Sequence, residues 1–144
     1  MTGLRSLAVV VAVIVLSAAA CGLVAQGRSS CTVQRIIDGD TFVCGSGERV
    51  RLILVNTPEM DDRPLGSTAR GFLLELMPPG TEVELEMDVS ERDRYGRLLA
   101  YVWLPDGRMV NRILAREGYA QVMVVPPDVR YVERIRAAAD SARM

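Results

Sequence analysis

The chain has 144 residues, 17 basic and 18 acidic side chains, a net charge of −1 and 49% hydrophobic residues. That length suits one domain, and the near-balance of charge excludes the basic footprint of a nonspecific nucleic-acid binder. There is no His and no Lys, so imidazole catalysis and imidazole metal sites are excluded, every side-chain cation is Arg, and a general base has to be a carboxylate, a Tyr or a Cys.

Residues 7–25 form a 19-residue run without a charge, preceded by Arg5. A basic start, an apolar stretch and the small residues Ser17–Ala20 read as an export signal. Two other readings stand beside it. About 20 apolar residues can span a bilayer as an anchor. Cys21, following three alanines, resembles a bacterial lipidation site, although Leu is more usual three positions before such a Cys. The Ala-rich composition favours a cleaved or lipidated signal over a permanent anchor. Residues 1–25 are assigned to this segment, and all three readings place the folded part outside the cytoplasm, in the extracellular space or at the cell envelope. Removing residues 1–20 takes away only Arg5, which leaves 16 Arg against 18 acids and a net charge of −2. Any phosphate recognition must therefore come from local clusters of Arg.

Residues 26–30 read as a polar linker, and 31–144 as the folded domain. Thr32–Ile37 is rich in β-branched residues and meets the turn Asp38-Gly39-Asp40; Thr41–Cys44 resumes the strand pattern. Cys31 and Cys44 flank this hairpin. They are two buried thiols or a disulfide, and export favours the disulfide. Arg49–Val55 reads as one buried strand stopped by Asn56-Thr57-Pro58. Ser67–Met77 has apolar residues at helical spacing. Thr81–Val89 alternates, with Val83, Leu85, Met87 and Val89 on one face and Glu82, Glu84 and Glu86 on the other. Leu98–Leu104 is a strand and Val110–Glu117 a short helix ended by Gly118. Tyr119–Val125 is extended, and Val129–Ala142 is a final helix. Strands follow strands without crossover helices, so the pattern predicts an α+β fold: a five-stranded Greek-key barrel of the OB type with about three helices.

Three segments carry residues suited to chemistry. Asp38-Gly39-Asp40 by itself is an ordinary turn, but Asp40 offers a hard oxygen ligand. Asn56-Thr57-Pro58-Glu59 ends a strand with a side-chain carbonyl, a backbone carbonyl and a carboxylate able to deprotonate water. Arg51 and Arg97 by themselves are solvated surface charges, but converging on one phosphate they would neutralise its charge. Tyr119, Tyr131 and Trp103 are read as packing residues rather than stacking platforms.

Taken together, Ile37-Asp-Gly-Asp-Thr41, Arg51-Leu-Ile-Leu-Val-Asn-Thr-Pro-Glu59, Asp93-Arg-Tyr-Gly-Arg-Leu-Leu-Ala-Tyr-Val102 and Met109-Val-Asn-Arg-Ile-Leu114 resemble the staphylococcal nuclease (thermonuclease) family over about residues 31–137. The resemblance implies an OB-fold barrel and Ca²⁺-dependent hydrolysis of DNA and RNA phosphodiesters. It implies Arg51, Glu59 and Arg97 as catalytic residues. Asp40, Asn56 and Thr57, the last through its main-chain carbonyl, fall at metal-ligand positions, with Asp38 an acidic neighbour. Arg94 and Tyr95 fall where the family contacts a substrate phosphate. The chain departs from the pattern at Asn56, where the family has an Asp, which implies weaker Ca²⁺ binding or preference for another divalent cation. It departs again at Val124, Val125 and Pro126, which stand where aromatic residues would stack on a base.

The expectation is an exported, monomeric, Ca²⁺-dependent endonuclease, with a membrane as a second partner if the N-terminus is lipidated or anchored. The alternative is a non-catalytic OB barrel that binds nucleic acid or protein at the cell envelope, for which the fold also serves.

Overall fold

A computed structural model describes residues 27–144. The segment read as an export signal, including Cys21, lies outside the described residues. Among the described residues, no helix is long and apolar enough to cross a membrane.

Five strands close into a barrel: β1 (Ser29–Ile36), β2 (Thr41–Cys44), β3 (Arg49–Leu52), β5 (Glu82–Glu86) and β6 (Leu98–Trp103), in the spatial order β1-β2-β3-β6-β5. β1 takes in Ser29 and Ser30, paired with Leu85 and Glu84, so strand begins inside the stretch read as linker. All neighbours are antiparallel except β3 and β6, which run parallel. A parallel pair needs a long crossover, and the chain between them supplies one containing α1 (Leu65–Leu76) and β5. This is the five-stranded OB-type barrel the sequence predicts. α2 (Val110–Arg116) and α3 (Val132–Ser141) complete the three helices.

Each helix buries a stripe at helical spacing: Gly66, Ala69 and Leu73 in α1, Val110, Leu114 and Ala115 in α2, Ile135, Ala138 and Ala139 in α3. Phe42, Val50, Leu52, Val102, Leu114 and Ile135 are fully buried in one core. Tyr119 stacks on Phe72 with ring centroids 4.1 Å apart, and Tyr131 meets Tyr101 edge-on at 4.6 Å. A disulfide joins Cys31 to Cys44 across β1 and β2, Cα–Cα 5.6 Å. Closing so short a loop contributes about 3 kcal/mol by restricting the unfolded chain.

The structure corrects the sequence reading in two further places. Arg49–Val55 is not one strand. It breaks at Ile53-Leu54, where Leu54 takes φ 62°, and resumes as the two-residue β4 (Val55–Asn56), paired with β7 (Gln121–Val122). A bulky residue in the left-handed region is uncommon and needs outside support. The support is tertiary: Asn111 donates to the Ile53 carbonyl at 2.8 Å, and Met123 N–H donates to the Leu54 carbonyl at 3.0 Å. The second correction concerns Thr81–Val89. Strand β5 ends at Glu86, Val89 is 69% exposed, and Glu86 is buried instead of facing water. Arg28 (3.2 Å) and Arg130 (3.3 Å) bracket its carboxylate, so the face that alternation assigns to solvent is covered by other parts of the chain.

Candidate active site

The β1–β2 turn and the β3 kink meet at one end of the barrel. The turn holds itself: Asp40 N–H donates to Asp38 Oδ1 at 3.0 Å. Asp40 then reaches across to the strand end, where Thr57 donates to Asp40 Oδ2 from its N–H at 2.9 Å and its hydroxyl at 3.1 Å. Gly39 is required for this approach, because a Cβ there would lie 2.7 Å from Thr57 Oγ1 and 2.8 Å from Ala69 Cβ.

Arg51 spans the kink. Its Nη1 donates to the carbonyls of Leu52 and Val55, the latter at 2.9 Å. Its Nη2 donates to Asn56 Oδ1 at 3.1 Å and lies 3.3 Å from Asp40 Oδ2. Both terminal nitrogens are thus engaged by the protein, and Nε has no partner among the described residues. Arg51 is only 8% exposed. Burial lowers its pKa, Asp40 opposes that, Arg97 adds to it, and Asp38 and Glu59 oppose it. The charges of Asp40, Arg97, Asp38 and Glu59 thus all act on the Arg51 guanidinium.

Arg97 precedes β6. Asp93 orients it by accepting from Nε at 2.7 Å, and Asp93 Oδ1 accepts the N–H groups of Tyr95 and Arg97 at 2.9 and 3.0 Å. Burial raises the Asp93 pKa, but these bonds outweigh it and hold the carboxylate below its usual range. Gly96, at φ 77°, provides the turn. Arg97 Nη1 lies 3.5 Å from Thr41 Oγ1, which aims it toward the Asp40 turn. Tyr95 is exposed, and the guanidinium groups of Arg94 and Arg97 lie 4.8 and 5.4 Å from its ring centroid.

Glu59 is exposed and its side chain makes no hydrogen bond among the described residues. Its backbone is held by α1, because Gly66 packs so closely that a Cβ there would lie 2.0 Å from the Glu59 carbonyl oxygen. Asp38 sits part-buried at the same rim. Burial first, then the charge of Asp40, raises its pKa to about 6.

A pocket of about 210 Å³ adjoins this cluster. Arg51, Arg97, Asp93 and Asp128 form its polar wall; Ile53, Leu54, Leu99, Met123 and Val125 form an aliphatic floor. Val125 is 56% exposed there, in the segment that lacks the aromatic residues. The structure therefore brings Asp38, Asp40, Arg51, Asn56, Thr57, Glu59 and Arg97 to one end of the barrel, with Arg94 and Tyr95 on the adjoining turn. Cys31 and Cys44 lie at the opposite end of the β1–β2 hairpin, and Trp103 closes the far end of β6. Sequence reasoning overlooked Asp93 as the group that orients Arg97, and Asn111 as the support of the kink. Asp93 stood inside a quoted motif, at the i,i+4 spacing that pairs charges. Asn111, between Val110 and Arg112 at the start of a predicted helix, gave no local signal of a buried polar tie.

Comparison with known proteins bears on this geometry. Residues 49–144 match the family model described as "Staphylococcal nuclease homologue". The chain is 42% identical over 119 residues to a thermonuclease of Staphylococcus intermedius, covering 77% of this chain and 70% of the relative. It is 38% identical over 130 residues to a thermonuclease of Staphylococcus hyicus, covering 85% and 76%. It is also 38% identical over 122 residues to endonuclease YncB of Bacillus subtilis (strain 168), covering 78% of this chain and 57% of that protein.

Proposed function

The chain belongs to the staphylococcal nuclease family, and we propose that it is an exported, Ca²⁺-dependent nuclease that hydrolyses phosphodiester bonds of DNA or RNA. One observation carries the reading. Two guanidinium groups, an exposed carboxylate and a pair of close acids share one end of the barrel beside an open pocket. Export is supported by the uncharged run at residues 7–25 and by the disulfide, which suits an oxidising compartment.

The donor set fits a hard divalent cation. Asp38 and Asp40 are close enough that the charge of one raises the pKa of the other, an electrostatic cost that a bound cation would relieve. Asp40, the Thr57 carbonyl and Asn56 would hold it, with Asp38 alongside. Among the described residues no group of three acids or thiols is placed to do so, so the cage is low in charge. When bound, Ca²⁺ supplies positive charge to the phosphate oxygens.

The chain's own groups account for the remaining steps. Arg97, whose Nη2 has no acceptor among the described residues, binds a non-bridging phosphate oxygen. Arg51 contributes its Nε–H and its charge from within the kink. Glu59, whose side chain has no hydrogen-bond partner among the described residues, takes a proton from water as the water oxygen bonds to phosphorus. The bond from phosphorus to the leaving oxygen breaks, and that oxygen takes a proton from solvent. The aliphatic floor receives a base by apolar contact, without the ~1–3 kcal/mol that aromatic stacking supplies per base.

Incubation of the full chain with single-stranded DNA and Ca²⁺, against a chelator control, tests the reading. Cleavage that the chelator stops is expected. A folded chain that binds DNA yet leaves it uncut whichever divalent cation is supplied would instead be a binding module.

A further inference from the structure

A second pocket, of about 220 Å³, lies at the end of β6 remote from Arg97. β6 spans 6 residues, which at ~3.3 Å per residue puts about 20 Å between its ends. Arg108, Arg112, Arg116 and Arg134 line this pocket around Trp103, and Glu117 is its one lining carboxylate among the described residues. Arg112 and Arg116, four residues apart, share one face of α2, Arg108 stands in the turn that precedes the helix, and α3, packed against α2, adds Arg134. Like charges at this spacing disfavour a helix, and the chain compensates them only partly. Arg108 pairs with Asp106 at 2.8 Å and Arg116 with Glu117 at 3.9 Å. Arg112 and Arg134 have no acidic partner among the described residues; Arg134 lies 5.4 Å from the Tyr131 ring centroid. In the same wall, Trp103 Nε1 is buried and is the one such side-chain atom without a hydrogen-bond partner among the described residues.

We propose that this pocket is a second phosphate-binding site, which holds the backbone of a single-stranded nucleic acid away from the bond being cut. Naming the polyanion as nucleic acid rests on the nuclease reading above. The argument is one of charge placed against the overall balance: a chain of net charge −1 gathers four planar forks in one concavity, and such forks match phosphate oxygens in geometry as well as charge. The site acts by contact rather than by its field, because about 20 Å exceeds the ~8 Å Debye length at physiological salt. A strand must therefore be long enough to reach both ends of β6, and a short one gains nothing.

The test uses the full chain in chelator, so that binding is read without cleavage. Fluorescence anisotropy follows a labelled dinucleotide and a single strand of about 16 nucleotides, the upper site size of one OB barrel, over a range of salt. With Arg112→Gln and Arg134→Gln combined, affinity for the long strand falls about tenfold, and its salt slope falls by about 1.4, at ~0.7 per phosphate contact. Binding of the dinucleotide does not change. Arg112→Lys with Arg134→Lys recovers most of the loss, which separates charge from folding. Unchanged long-strand affinity and slope in the Gln pair overturn the proposal. So does an equal loss for the dinucleotide, and so does a Gln pair that loses only binding to anionic lipid vesicles. Failure of the nuclease reading looks different, since a wild-type chain that binds the long strand through these arginines but never cuts it keeps the second site and loses only the first.

Discussion

Asp40 and Thr57 are joined twice, through the Thr57 N–H at 2.9 Å and its hydroxyl at 3.1 Å, both to Asp40 Oδ2. These two bonds lock the β1–β2 turn to the end of the kinked strand. They also occupy one oxygen of Asp40 with neutral donors, and Arg51 approaches the same oxygen. The spacing between the turn and the Glu59 segment is thus set by the protein, and the proposed catalytic groups inherit it.

Glu59→Gln tests the base. The side chain is exposed and hydrogen-bonded to nothing described, so the melting temperature should stay within a degree or two of wild type, as for a surface change. The cleavage rate should fall by ~10²–10⁴. A rate loss accompanied by an equal stability loss would point to a structural role instead.

Asn56→Asp tests the low-charge cage. The substitution adds a carboxylate beside Asp40 and next to Arg51 Nη2, where Asn56 Oδ1 now accepts at 3.1 Å. Ca²⁺ affinity, read by calorimetric titration, should rise about tenfold as ligand charge increases. Unchanged affinity would remove residue 56 from the ligand set.

Asp38 gives opposite pH trends for stability and for metal binding. Its folded pKa of about 6 lies above that of an unfolded Asp, so between about pH 4 and 6 the metal-free fold binds more protons than the unfolded chain. Metal-free stability should therefore decline as pH rises through that window. Ca²⁺ affinity should rise over the same window, because a cation needs the ionised acid. Melting scans in chelator and Ca²⁺ titrations across pH 4–7 check both, and Asp38→Asn should flatten both.

Gly66→Ala tests the support of Glu59. The new Cβ would stand 2.0 Å from the Glu59 carbonyl oxygen and 2.8 Å from Met60 Cα. Overpacking of this kind costs ~1–3 kcal/mol, and a shift of about 1 Å in Glu59 lowers turnover up to ~10²-fold. Gly71→Ala in the same helix meets nothing within 4 Å and should stabilise by ~0.5–1 kcal/mol with turnover unchanged. Denaturant midpoints and initial rates on both variants separate the two effects.

Most of the barrel was legible because its signals are local. Alternation marked Val83 and Leu85 as inward, Asp38-Gly39-Asp40 announced a turn, and Gly118 ended α2 as a C′ residue with φ 79°. The errors fell where a distant partner overrides local pattern. Glu86 reads as a solvent-facing acid until Arg28 and Arg130 arrive from 58 and 44 residues away. Leu54 reads as mid-strand until Asn111 and Met123 hold the backbone in a left-handed turn.

The candidate site divides in the same way. Residue types were set by the sequence alone: with no His and no Lys, the chemistry falls to carboxylates, carbonyl oxygens and guanidinium groups, and the motifs named which ones. Their use of hydrogen bonds was decided only in three dimensions. The sequence presents Arg51 and Arg97 as equivalent forks, yet the fold engages both terminal nitrogens of Arg51 inside the kink and leaves Arg97 Nη2 without an acceptor among the described residues. The physical reason is that a donor's availability depends on which acceptors the chain folds within about 3 Å of it. Carbonyls exposed by a strand break are not visible in the order of residues.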